Sequence, residues 1–142
     1  MPEVSFYILS SVSQQDRYGF ACKLIEKAYQ NKQFCYVYTD TQQQSEQLDN
    51  QLWTFRSNSF IPHQIYEGET PDYKQTILIG TETAPGNWQN LILNLSSKYP
   101  ENILDSKRVL EILDNNEQIK HQGRKRYQQY NQAGFDITTH KL

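Results

Sequence analysis

The residues best placed to do chemistry lie near the C-terminus. In the stretch Asp114 to Ile137, DNNEQIKHQGRKRYQQYNQAGFDI, the residues Lys120, Arg124 and Tyr127 recur at i, i+4 and i+7. On a helix this spacing sets two cations and a phenol in one stripe, with Asn131 continuing it. A neighbouring stripe of Ile119, Gly123, Tyr130 and Ala133 reads as the core face. Cations in line with an aromatic suit the reception of an acidic, partly apolar ligand better than they suit bond-making. An ordinary solvated helix face has the same composition, so on these residues alone both readings stand. Arg126 falls on the core face. It is expected to lay its stem along the sheet edge and pair its guanidinium with a carboxylate or with carbonyls.

Other chemistries find little support. His63, His121 and His140 are not at metal-ligand spacing, and His63 after Pro62 reads as a hydrogen-bonded structural residue. No paired carboxylates, GxSxG elbow or cysteine with a nearby histidine offers a nucleophile. The turn after the first apolar run is SSVSQQ where a dinucleotide fold carries GxGxxG, and GTETAPG from Gly80 to Gly86 lacks the Lys and Ser/Thr of a phosphate-binding loop. No cofactor or metal is expected, and catalysis is the weaker hypothesis. A second feature is WTFRSNSFIPHQIY, Trp53 to Tyr66, in which Trp53, Phe55 and Phe60 punctuate a segment broken by Ser, Asn and Pro. Large aromatics of this kind serve either a core or a protein contact.

The elements that must position these residues alternate strand and helix. VSFYIL, from Val4 to Leu9, reads as a first strand. Ser13 with Asp16 opens a helix to about Lys32, with Tyr18, Ala21, Cys22, Ile25, Ala28 and Tyr29 as its apolar stripe. FCYVY, from Phe34 to Tyr38, carries no charge and fits a central parallel strand buried on both faces. A helix from about Thr41 to Leu52 follows, anchored by Leu48 and Leu52. Strands are expected at Thr76 to Ile79, Leu91 to Leu95 and Val109 to Leu113, with loop and at most a helical turn over 96–107. The last helix is expected to start at a capping box of Asp114 and Glu117, to end at Gly134, and to run into a short extended segment.

Length and composition fit one α/β domain over 1–142, with a largely parallel sheet, helices on both faces and no nucleotide-binding glycine fingerprint. Net charge is −2, yet residues 1–106 hold seven bases against twelve acids and residues 107–142 hold seven against four. The C-terminal quarter is a positive patch on an acidic body, which fits a local anionic partner and not a surface coated for duplex DNA. No apolar run has transmembrane length and the N-terminus lacks a signal-peptide basic region, so a soluble cytoplasmic protein without membrane contact is expected. Cys22 and Cys35 show no zinc or CxxC spacing and read as reduced core residues.

The FYIL strand, the central LWTFRSNSFIPH and the C-terminal RKRYQQYNQAGF together resemble the chi subunit of the bacterial DNA polymerase III holoenzyme, in order along the whole chain. Residues 67–107 are the least alike. The resemblance implies a Rossmann-like fold without a nucleotide site and a non-catalytic accessory role in DNA replication. It implies two partners: the psi subunit, which tethers chi to the clamp loader, and the acidic C-terminal tail of single-stranded DNA-binding protein. Contact with the clamp loader would be indirect, and contact with DNA mainly so. Carried over by position, Lys120, Arg124 and Tyr127 would hold the tail, and Trp53 and Phe60 would face psi. The position after Tyr127 is usually basic in the family. Here it is Gln128, one charge fewer at the tail site. The alternative is a small α/β domain that binds nucleic acid directly through the basic helix, Lys120 to Arg126.

Overall fold

The computed structural model describes residues 2–55 and 60–142. The part of the aromatic segment at 56–59 lies outside the described residues. Among the described residues seven strands form one sheet in the order β3-β4-β2-β5-β6-β1-β7. They are β1 (Glu3–Ile8), β2 (Tyr36–Tyr38), β3 (His63–Ile65), β4 (Ile77–Gly80), β5 (Leu91–Asn94), β6 (Arg108–Leu113) and β7 (Asp136–Lys141). Every pairing is parallel. The expectation of a largely parallel α/β sheet is met, and met without exception.

A parallel sheet must be covered on both faces, and three helices do this. Helix α1 (Gln14–Gln30) and α2 (Gln42–Thr54) pack Tyr18, Ala21, Cys22, Ile25, Leu48 and Leu52 against Val37, Ile79, Leu93, Leu110 and Ile112. Helix α3 (Glu117–Gln132) lies on the opposite face, where Tyr130 and the following Phe135 meet Phe6, Tyr36, Ile92, Val109 and Leu113. The period-two alternation of β6 divides its side chains between these layers: Leu110 and Ile112 go to one, Val109, Glu111 and Leu113 to the other. Tyr36, Val37 and Tyr38 are all buried, as an interior strand requires.

Local signals explain the helix starts. Ser13 Oγ accepts from Asp16 N, and Thr41 Oγ1 accepts from Gln44 N. The start of α3 differs from expectation. Its cap is Asn116, whose Oδ1 accepts from the backbone N–H groups of Gln118 and Ile119 at 3.0 and 3.2 Å. Asp114 is buried where the chain leaves β6, and its carboxylate accepts from Asn116 N at 2.9 Å. It braces the cap and does not serve as one. At the far end Gly134 takes φ 86, the left-handed conformation that ends a helix readily only with glycine. Ala133, expected in the core, is exposed, because Phe135 turns back beneath the helix and sets its ring 5.3 Å from that of Tyr130.

Two further differences lie in the central segment. Helix α2 continues to Thr54, so Trp53 sits on its last turn. The short HQI after Pro62 forms edge strand β3 on β4, too brief for periodicity to reveal. The 96–107 stretch holds one 3₁₀ turn, Ile103–Asp105, and a second such turn, Gly86–Asn90, precedes β5.

Candidate functional site

The C-terminal helix approaches the sheet closely because of Gly123. A Cβ at this position would stand 2.8 Å from Leu113 Cδ2 and closer still to Cδ1, so any larger residue would have to displace the Leu113 side chain. Beside this contact the helix and the sheet part to leave a notch of about 340 Å³. Phe6 and Ile8 of β1, Leu113 of β6 and Thr139 of β7 line it from the sheet, and Gly123, Arg124, Tyr127 and Gln128 line it from the helix. The Tyr127 ring packs 5.5 Å from that of Phe6 and remains 42% exposed, so one side is seated and the other is available.

Arg124 is exposed and makes no hydrogen bond or ion pair among the described residues. An unpaired guanidinium at the lip of an apolar notch is suited to a ligand that joins a carboxylate to a hydrophobic group. The sequence grouped Lys120 with Arg124, but the structure brings only Arg124, Tyr127 and Gln128 to the notch. Lys120 lies one turn back, its Nζ 3.1 Å from Asn115 Oδ1 and 3.6 Å from Glu117 Oε1. It contributes field, not lining.

Arg126 serves the fold, as expected, through both kinds of partner. Its Nε and one terminal nitrogen donate to Glu111 at 3.0–3.2 Å, and the other donates to Ser97 O at 3.1 Å. The site of pairing differs from the expected sheet edge: Glu111 is on β6, an interior strand. Its carboxylate also accepts from Tyr130 Oη at 2.7 Å and from Asn94 Nδ2 at 2.9 Å. Burial pulls the Arg126 pKa down, but the Glu111 charge and its hydrogen bonds more than offset this, so the net direction is upward. Burial first, then Glu111, pushes the Tyr130 phenol up. This network fixes the rotation of α3 and so decides which residues face the notch. Glu111 was missed in the sequence, although a lone carboxylate inside the apolar run VLEIL was a signal.

The aromatic pair sits elsewhere. Trp53 and Phe60 are 56% and 64% exposed, which corrects the core reading. Their rings stand 5.4 Å apart, and Trp53 also meets the edge of His63 at 4.8 Å. His63 is held as a structural residue by the hydrogen bond between Nδ1 and Ile61 O at 2.7 Å, and its buried Nε2 lies 3.3 Å from Asp49 Oδ1 without a hydrogen bond among the described residues. Because α2 and α3 cover opposite faces of the sheet, the aromatic pair and the notch open on opposite sides of the molecule. Among the described residues no group of three His, Cys, Asp or Glu side chains could hold a metal ion, and no helix is long and apolar enough to cross a membrane.

Comparison with known proteins finds relatives along the whole chain. Residues 1–138 match the family described as DNA polymerase III chi subunit, HolC. The chain is 30% identical over 142 residues to the DNA polymerase III subunit chi of Pseudomonas aeruginosa, covering 100% of this chain and 98% of that one. Its counterparts from Haemophilus influenzae and Escherichia coli are 24% and 21% identical, over 96% and 98% of this chain and 95% and 97% of theirs.

Proposed function

The chain belongs to the DNA polymerase III chi subunit family, and from that premise we propose that it is a non-catalytic adaptor with two protein-binding surfaces. The notch beside α3 takes the acidic C-terminal tail of single-stranded DNA-binding protein. The Trp53 and Phe60 patch takes the psi subunit and, through it, the clamp loader. One observation carries the reading: a free cation, Arg124, borders an apolar notch on the face opposite an exposed aromatic pair.

The ligand chemistry follows from the lining. A tail that ends in phenylalanine with a free carboxylate presents a ring and an anion a few bonds apart. The ring enters between Tyr127, Phe6 and Leu113, and Arg124 donates to the carboxylate. Gln128 at the same lip offers an amide where family members carry a base, so it adds a hydrogen bond without charge. Lys120 attracts the upstream aspartates at longer range.

Direct DNA binding through Lys120 to Arg126 is less well supported. Arg126 is buried and committed to Glu111, and Lys120 leans on Glu117, which leaves Arg124 and Lys125 as the exposed cations of the segment without a partner among the described residues. Two phosphate contacts would give weak binding with a shallow salt slope, about −0.7 for each phosphate on a single strand.

The test is a pair of pull-downs with the full chain. Arg124→Ala should release the single-stranded DNA-binding protein and keep psi, and Trp53→Ala should do the reverse. Loss of both partners by either variant, or of neither, contradicts two independent surfaces.

A further inference from the structure

We propose that the end of the sheet away from the notch holds a second anion site, one that accepts the phosphodiester backbone of single-stranded nucleic acid. Three separated parts of the chain bring Lys32, Lys74, Lys107 and Arg108 around one cavity of about 400 Å³, and no carboxylate lines it. Four cations converging on one cavity is unexpected in a chain of net charge −2. None of the four makes an ion pair among the described residues, and the one hydrogen bond of a charged group, Arg108 to Ser5 Oγ, is long at 3.4 Å.

The backbone supports the placement. Lys32 follows α1 in the left-handed region at φ 58, where glycine or asparagine is the unstrained choice. Its N–H donates to Tyr29 O at 2.9 Å, and Gln33 N donates to Ala28 O at 2.8 Å, which fixes the turn that carries this lysine to the cavity. Lys107 is held in the same way, by its N–H to Asn90 O at 3.0 Å.

The lining favours a phosphate strand over an acidic peptide. Three of the four cations are lysines, compact point charges that suit phosphates and lack the planar fork that selects carboxylates. Phe34 and Leu91 give one wall an apolar surface for a sugar or base, and Asn87 adds a polar side chain to the lining. The volume is within the usual range of ligand pockets, about 300–1,000 Å³. Arg108 and Leu113 end the same strand, so the cavity and the notch lie about 17 Å apart at 3.3 Å per residue. Both can be filled together, and this site does not depend on the tail-binding reading.

The experiment is fluorescence anisotropy of a labelled oligothymidylate with the full chain at low salt. Binding should be weak and steep in salt, with a log-log slope of roughly −3 if all four cations meet phosphates. Lys74→Ala with Lys107→Ala should lower affinity at least about tenfold and bring the slope to about −1.4. The same pair changed to Arg should retain binding, and Arg124→Ala should leave it unchanged. A melting curve confirms that each variant is folded, and Lys107→Gln alone provides the test if the double variant is not. Absence of binding at low salt, unchanged binding by both the double variant and Lys107→Gln, or loss on Arg124→Ala would overturn the proposal. So would displacement by an oligoglutamate peptide of equal charge, which would assign the cavity to acidic protein, or by free nucleotide at the same phosphate concentration, which would assign it to small anions.

Discussion

Arg126→Met removes the cation that hydrogen-bonds Glu111, the one that does so among the described residues, and tests how α3 is held. In the native protein the Glu111 carboxylate is fully buried and Arg126 is 3% exposed, with three guanidinium contacts at 3.0–3.2 Å between them. After the substitution two neutral donors remain, Tyr130 Oη and Asn94 Nδ2. Two hydrogen bonds do not compensate a buried charge, and breaking one side of such a pair costs about 3–5 kcal/mol. Against a total stability of about 5–15 kcal/mol this is a large fraction. For a chain of this size it corresponds to a melting temperature lower by roughly 6–20 °C. Urea unfolding followed by tryptophan fluorescence measures it, with an unchanged slope showing that only stability moved. Combining Glu111→Gln with Arg126→Met removes the charge as well, keeps an acceptor for Tyr130, and should recover at least half of the loss. A single variant within about 1 kcal/mol of the native protein, or a double variant worse than the single one, would refute the view that an uncompensated carboxylate is what costs.

Three other outcomes are expected. Trp53→Ala and Phe60→Ala should each change stability by no more than about 1 kcal/mol, because both rings are already more than half exposed, yet weaken psi binding by about 2 kcal/mol when measured by calorimetry. Gly123→Ala should push the Leu113 methyls toward the notch, cost about 1–3 kcal/mol of stability by overpacking, and weaken tail-peptide binding in the same preparation. Burial pushes the Cys22 and Cys35 thiols up to about 12 from 9.0, so neither should react with iodoacetamide at pH 8 until the chain unfolds. Below pH 9 the thiols are neutral in both states and their contribution to stability is intact. Between about 9 and 12 the unfolded chain ionises first, so stability should fall over that window in an alkaline melting series.

The sequence carried the elements whose signals are local. Ser13 and Thr41 announced their helices because a cap needs only an oxygen and an adjacent turn, and Gly134 announced its stop because few residues take positive φ there. The stripe Arg124 and Tyr127 was legible from helical spacing. What periodicity could not supply was everything set by strand order. That Phe6, Leu113 and Thr139 meet under Tyr127 depends on β1 lying between β6 and β7, which joins the two ends of the chain. The partner of Arg126 was hidden for the same reason, since Glu111 is fifteen residues away and on another element. The cap moved from Asp114 to Asn116 because burial at a strand end claimed the first candidate. Lys32, Lys74 and Lys107 are unremarkable in sequence and converge only through the crossovers.

Arg124 and the notch are proposed to read a C-terminal carboxylate together with an aromatic ring. A double-mutant cycle measures this directly, using calorimetry on native and Arg124→Ala protein with a peptide of several aspartates ending in phenylalanine, as free acid and as amide. If the guanidinium bonds that carboxylate, the native protein should lose about 1.5–3 kcal/mol on amidation and the Arg124→Ala variant almost nothing, because the partner is already gone. Equal losses in the two proteins, or equal affinity of both proteins for the free acid, would contradict the assignment of Arg124 and with it the account of the notch.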